Sequence, residues 1–129
     1  MKTRSRSTGP SPEARELLAA RSGGWCEMRL PGCTGAATEV AHRKGRKMGG
    51  RRGLMRDESN RLSNLIHACH TCHAWTHARP TEALDLGLMV REHDDPRWIP
   101  VAYQSGMWAH LLDDGTVWEL VTDSPPGAS

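Results

Sequence analysis

A chain of 129 residues with a formal net charge of +2, 37% hydrophobic content and no Phe is long enough for one modest core and short for two. No apolar run approaches the ~20 residues that a membrane-spanning helix needs, which sets a membrane role aside. The small net charge hides an asymmetry: residues 1–80 hold 15 of the 17 Lys and Arg against 6 acids, a formal +9, and residues 81–129 hold 2 against 9, a formal −7.

A polyanion is drawn to the first part and repelled by the second, so nucleic acid is the leading expected partner, with an incidentally basic surface as the alternative. Residues 1–10, rich in Ser, Thr and Arg, read as a disordered basic arm. The arm lacks the apolar stretch of a secretory signal, so the expected compartment is a reducing cytoplasm. Four cysteines there suit metal ligation better than two disulfides.

The stretch "SPEARELLAARSGG" predicts a short helix with Ser11 as N-cap, Pro12 at its first position and Gly23-Gly24 as its stop. Next, "WCEMRLPGCTGAATEVAHRK" predicts a turn carrying Cys26 and Cys33, then a strand near 37–43. The glycine-rich, basic "GRKMGGRRGLMRDESN" reads as a loop. From Leu65 to about Ala78 the pattern is helical, with Asn64 at its opening and Pro80 after its end. "RPTEALDLGLMV" predicts another short helix, capped by Thr81 and stopped at Gly87. "VAYQSGMWAHLLDDGTVWELV" predicts a hairpin around Asp113-Asp114-Gly115, and residues 123–129 a frayed tail.

Cys26 and Cys33 form a loose pair around a Pro-Gly turn, and Cys69 and Cys72 a tight Cys-x-x-Cys pair. Two such pairs separated by a folded segment can wrap one tetrahedral Zn²⁺. Four thiolates leave no open coordination position, so the expected role is structural. The string Cys69-His-Thr-Cys72-His73 also matches covalent haem attachment, but that reading leaves Cys26 and Cys33 idle. A thioredoxin-like redox pair wants a neighbouring βαβ pattern, which is missing.

Five of the seven histidines lie between residues 42 and 77: His42, His67, His70, His73 and His77. His73 and His77, four apart on the predicted helix, either hold a second metal together or form a solvated or core-packed pair. His67 and His70 have no assigned role, and His93 and His110 are expected at the surface. Trp98, Trp108 and Trp118 are expected in core or hairpin packing, and Trp25 and Trp75 over the zinc site.

His42 closing "TEVAH", Asn64 in "SNL" and His73 directly after Cys-x-x-Cys stand in the order of the HNH nucleases. Within residues 23–90 the chain resembles an HNH endonuclease of the compact type common in phage genomes. The resemblance implies an α+β, zinc-stabilised ββα-metal (His-Me finger) core and hydrolysis of DNA phosphodiesters with one divalent metal, Mg²⁺, Mn²⁺, Ni²⁺ or Zn²⁺. It implies His42 as general base, Asn64 holding the His42 ring through Nδ1, and His73 with His77 as catalytic-metal ligands. The family commonly has an Asp or His ligand just before the base, where this chain has Ala41. Glu39, two residues back on the same strand face, is the candidate substitute. A non-catalytic DNA-binding or partner-docking module is the alternative that Ala41 favours.

Arg43, Lys44, Arg46, Lys47, Arg51, Arg52 and Arg56 are expected to clamp DNA phosphates with low sequence specificity. The expected organisation is a basic arm (1–10), a nuclease domain (11–91), an acidic β-hairpin extension packed on it (92–122) and a tail (123–129). Beyond DNA, the expected partners are phage or host proteins of DNA processing or packaging, in the cytoplasm of the host if the chain is phage-encoded, and no membrane.

Overall fold

The computed structural model describes residues 9–45, 58–104 and 106–120. These form a small α+β structure with two antiparallel sheets. Among them no helix is long and apolar enough to cross a membrane. Helix α1 (Pro12–Ser22) begins as its sequence requires, with the Ser11 hydroxyl accepting the Ala14 N–H at 3.1 Å. It ends at Gly23, whose left-handed backbone (φ 67°) lets its N–H reach the Ala19 carbonyl.

Strand β1 (Glu39–His42) pairs with β2 (Leu65–Ala68), Glu39 lying opposite Ala68 and His42 opposite Leu65. The helical pattern expected from Leu65 is therefore corrected at its start. Leu-Ile-His-Ala is too short for its periodicity to separate strand from helix, and pairing with β1 decides in favour of strand. Helix α2 (His70–Ala78) starts only after Cys69, its N-cap, and Asn64 falls in a 3₁₀ turn (Leu62–Asn64) that leads into β2. Helix α3 (Pro80–Asp85) has Arg79 rather than Thr81 at its N-cap position.

Gly87 follows α3 at φ 72°, where a Cβ would collide with the Pro100 carbonyl, so only glycine fits. The second sheet has three strands where a hairpin was expected: β3 (Val101–Tyr103), β4 (Met107–Leu111) and β5 (Val117–Glu119), in that order. The expected Asp113-Asp114-Gly115 turn joins β4 to β5.

One core cluster takes Cys26, Met28, Ile66, Ala68 and Ala83 together with Val101, Tyr103, Ala109 and Leu111, so the C-terminal sheet shares the core of β1, β2 and α2. The two charge-biased parts also meet. Arg61 reaches Asp113 at 3.0 Å, and the other Asp113 oxygen accepts the Ser63 N–H. Trp98 and Trp118 stand 69% and 63% exposed, contrary to the packing expected of them. His110 is likewise not a plain surface residue, because its Nδ1 is buried without a partner.

Beneath β2, Glu27 is buried and hydrogen-bonded from three sides. The Arg21 guanidinium meets both its oxygens at 2.8 and 2.9 Å, the His67 N–H donates at 2.8 Å and the Tyr103 hydroxyl at 2.6 Å. Burial, then the Glu27 charge, pushes the Tyr103 phenol well above its ordinary range. The folded chain thus keeps a proton that the unfolded chain releases above pH ~10, so stability falls as pH rises from there. Because Tyr103 is the single tyrosine, difference absorbance should show no tyrosinate in the native protein near pH ~10, and should show it together with loss of fold at higher pH.

Candidate metal centre and its histidine flank

The four cysteines come together as their spacing predicts. Cys26 follows a bridge between Trp25 and Ala36, and its N–H donates to the Gly35 carbonyl at 2.7 Å, which closes the 26–35 loop on itself. Cys33 donates its N–H to Leu30 inside that loop. Cys69 caps α2, its Sγ accepting the Cys72 N–H at 3.4 Å. The four Sγ atoms lie within 4.8 Å of one another, and the cysteines are free of disulfides. Among the described residues, no other set of three or more His, Cys, Asp or Glu donors converges in this way.

Backbone donors point at the sulfurs, Leu30 N–H at Cys72 and Gly35 N–H at Cys33, both at 3.4 Å. Burial raises the Cys69 thiol, but hydrogen bonding from the Thr34 side chain and backbone and from Cys72 outweighs it and brings the group down to about 6. Burial pushes Cys72 and Cys33 up. Four clustered thiolates, three of them buried, repel one another, so a cation is the natural means of holding all four deprotonated. The donor set fits a soft, tetrahedral metal ion. Trp75 packs against the core that holds the cysteines, and Trp25 lies over Gly35 of the cysteine loop while remaining 57% exposed.

On the outer side of α2, the His73 and His77 rings lie 5.1 Å apart between centroids. Glu39 reaches this helix from β1, with Oε1 at 2.7 Å from His73 Nδ1 and Oε2 at 2.7 Å from His70 Nδ1. These bonds, His73 first, hold the Glu39 carboxyl below the usual carboxylate range. Ala41, on the same strand face by alternation, is 3% exposed in the core.

His42 ends β1, and its Nε2 lies 2.8 Å from Asn60 Oδ1. A neutral His42 that donates from Nε2 to this amide oxygen has its lone pair on Nδ1. The asparagine expected at this ring, Asn64, has other partners: Oδ1 accepts the Lys44 N–H at 2.9 Å, and Nδ2 donates to the Ser59 and Lys44 carbonyls. Asn64 thus fixes the chain on either side of the basic loop, while Asn60 touches the base candidate. The signal for Asn60 was present in "SNRLSN", where two asparagines compete for one role.

Arg43 is the clearest departure. It was expected on DNA phosphate, yet it is 1% exposed. Its guanidinium donates to the carbonyls of Gly87, Ser63, Pro96 and Ile99 at 2.8, 2.9, 3.0 and 2.6 Å. Burial lowers it to about 9, with the Arg21 charge adding to the effect, and it remains cationic at neutral pH. Lys44 is half-buried, and its charge adds a little to the Arg97 hydrogen bond that holds the Asp95 carboxyl below the usual range. Arg46, Lys47, Arg51, Arg52 and Arg56 lie outside the described residues, as do residues 1–8 of the expected arm and the 123–129 tail. His67, which had no assigned role, shares a 2.7 Å hydrogen bond with the Ser22 hydroxyl. Comparison with protein-family models, with curated proteins and with solved structures yields no match.

Proposed function

We propose that this chain is a metal-dependent DNA endonuclease of the HNH type, with zinc at the four cysteines as a structural fastener. One observation carries the reading: in a two-stranded antiparallel ribbon the first strand ends in His42 and the second leads through Cys69 into a helix bearing His73 and His77, with the four-cysteine cluster at that helix's start. Zinc is favoured over other ions by an all-thiolate tetrahedral donor set. The imidazoles of His73 and His77 are the residues to hold the second ion, which when bound supplies Lewis acidity toward a phosphodiester.

The chain's own residues supply the rest. His42, held by Asn60, is the residue to accept the proton of the attacking water. Asn64 ties Lys44 to Ser59, and so sets the two ends of the basic loop beside that ring. The remaining cations of the loop bind phosphates without reading bases.

Supercoiled plasmid incubated with Mg²⁺, Mn²⁺ or Ni²⁺ should be nicked or cut. His42→Ala should lower the rate by ~10²–10⁴, the usual contribution of a general base, while DNA binding in a mobility-shift assay persists. Ala41 favours a second reading, a zinc-stabilised DNA-binding or docking module without catalysis, because it contributes no donor where a ligand is expected. Plasmid left intact by every metal, with binding retained, would select that reading.

A further inference from the structure

Glu39 presents a fork to helix α2, one carboxylate oxygen to His73 Nδ1 and the other to His70 Nδ1, each at 2.7 Å. An ionised carboxylate only accepts, so both imidazoles must donate. A neutral His73 bonded in this way carries its proton on Nδ1 and its lone pair on Nε2. We propose that Glu39 is a positioning residue that fixes the His73 ring as its Nδ1–H tautomer, so that Nε2 is the nitrogen offered, with the His77 ring one turn on, to a divalent metal ion.

The contacts of Glu39 favour this over direct ligation by it. Both carboxylate oxygens already have an imidazole N–H to accept. The His73–His77 ring spacing of 5.1 Å sets the two imidazoles side by side. A carboxylate on the far nitrogen locks a ligand ring in place and makes its metal-facing nitrogen more basic. His73 is the ring that matters, because its side chain is 25% exposed, whereas that of His70 is 81% exposed and turns freely if Glu39 is lost.

The identity of the bound group as a metal rests on the nuclease reading; the tautomer does not. Nitrogen-15 NMR of the imidazoles reads it directly, in protein whose cysteine site is loaded and to which no second metal is added. At about pH 8, where an ordinary histidine is neutral, His73 should be protonated at Nδ1 and bare at Nε2. Glu39→Ala should move it toward the Nε2–H form that free histidine prefers, and His70→Ala should not. Titration with Ni²⁺ should show Glu39→Ala weakened by ~10–100-fold, as for other outer partners of metal-bound histidine. Glu39→Gln, whose amide oxygen still accepts from His73, should stay near the parent protein. A His73 protonated at Nε2 in the parent protein would overturn the proposal. So would Glu39→Gln as damaging as Glu39→Ala, which is the mark of a direct ligand. Uncut plasmid would count against the nuclease reading alone, since neither measurement uses DNA.

Discussion

Stripping the metal proposed for the four-cysteine site is expected to unfold the chain. Cys26, Cys69 and Cys72 are 0%, 1% and 0% exposed, and they sit in the same core cluster as Met28, Ile66, Val101 and Leu111. Without a cation the site must hold either four mutually repelling thiolates or thiols of which three are buried. For a structural zinc of the kind proposed, binding is worth ~10–16 kcal/mol at neutral pH. The net stability of a small domain is only ~5–15 kcal/mol, so loss of the ion removes most or all of it. A strong chelator should therefore abolish the thermal transition seen by far-UV circular dichroism, and adding the metal back should restore it. Cys72→Ser should reproduce the effect without chelator. Cys33→Ser should be milder, because Cys33 is partly exposed and water can fill the fourth position. A chelated, metal-free protein that melts as before would show that the thiols pack as ordinary core residues.

How far the sequence reached differs between the two halves of the site. The cysteines were legible because ligand spacing is a local signal: Cys-x-x-Cys puts two sulfurs at one helix start whatever surrounds them. The strand at 39–42 and the cap of α1 were legible for the same reason. Asn64 and Arg43 were not, because their roles are set by partners far along the chain. Arg43 meets carbonyls 20 to 56 residues away, and nothing in "HRKGRK" separates a buried cation from an exposed one. The family pattern pairs one asparagine with the base, yet two asparagines lie four residues apart, and the turn at Leu62–Asn64 directs Asn60 to His42 and Asn64 to the backbone. Sequence singles out Glu39 by its strand face alone. Its bonds to His70 and His73 depend on where α2 crosses β1, which periodicity does not encode.

Arg43→Met is expected to be among the most destabilising substitutions in the chain, and it separates the two roles considered for that residue. The methionine keeps much of the volume and removes the cation, leaving four carbonyls without their donor. The bonds to Gly87 and Ser63 are fully buried, while those to Pro96 and Ile99 border solvent, where water can replace the guanidinium. Two dry carbonyls at ~1–3 kcal/mol each put the loss at about 4 kcal/mol. For a chain of this size that lowers Tm by about 10–20 °C. Arg43→Lys should recover only part of it, because one ammonium cannot span four acceptors that a planar fork meets at once. The bonds tie the end of β1 to Ser63 before β2, to Gly87 after α3 and to the 96–99 turn. Slackening them should therefore disorder the approach to His42 as well as lower Tm. A phosphate-binding arginine at the surface behaves in the opposite way: its loss weakens DNA binding and flattens the salt dependence while Tm stays put. Thermal melts of Arg43→Met beside Lys44→Ala, each with a salt titration of DNA binding, decide between the two. An unchanged Tm in Arg43→Met would return the residue to the phosphate clamp and take this brace out of the fold.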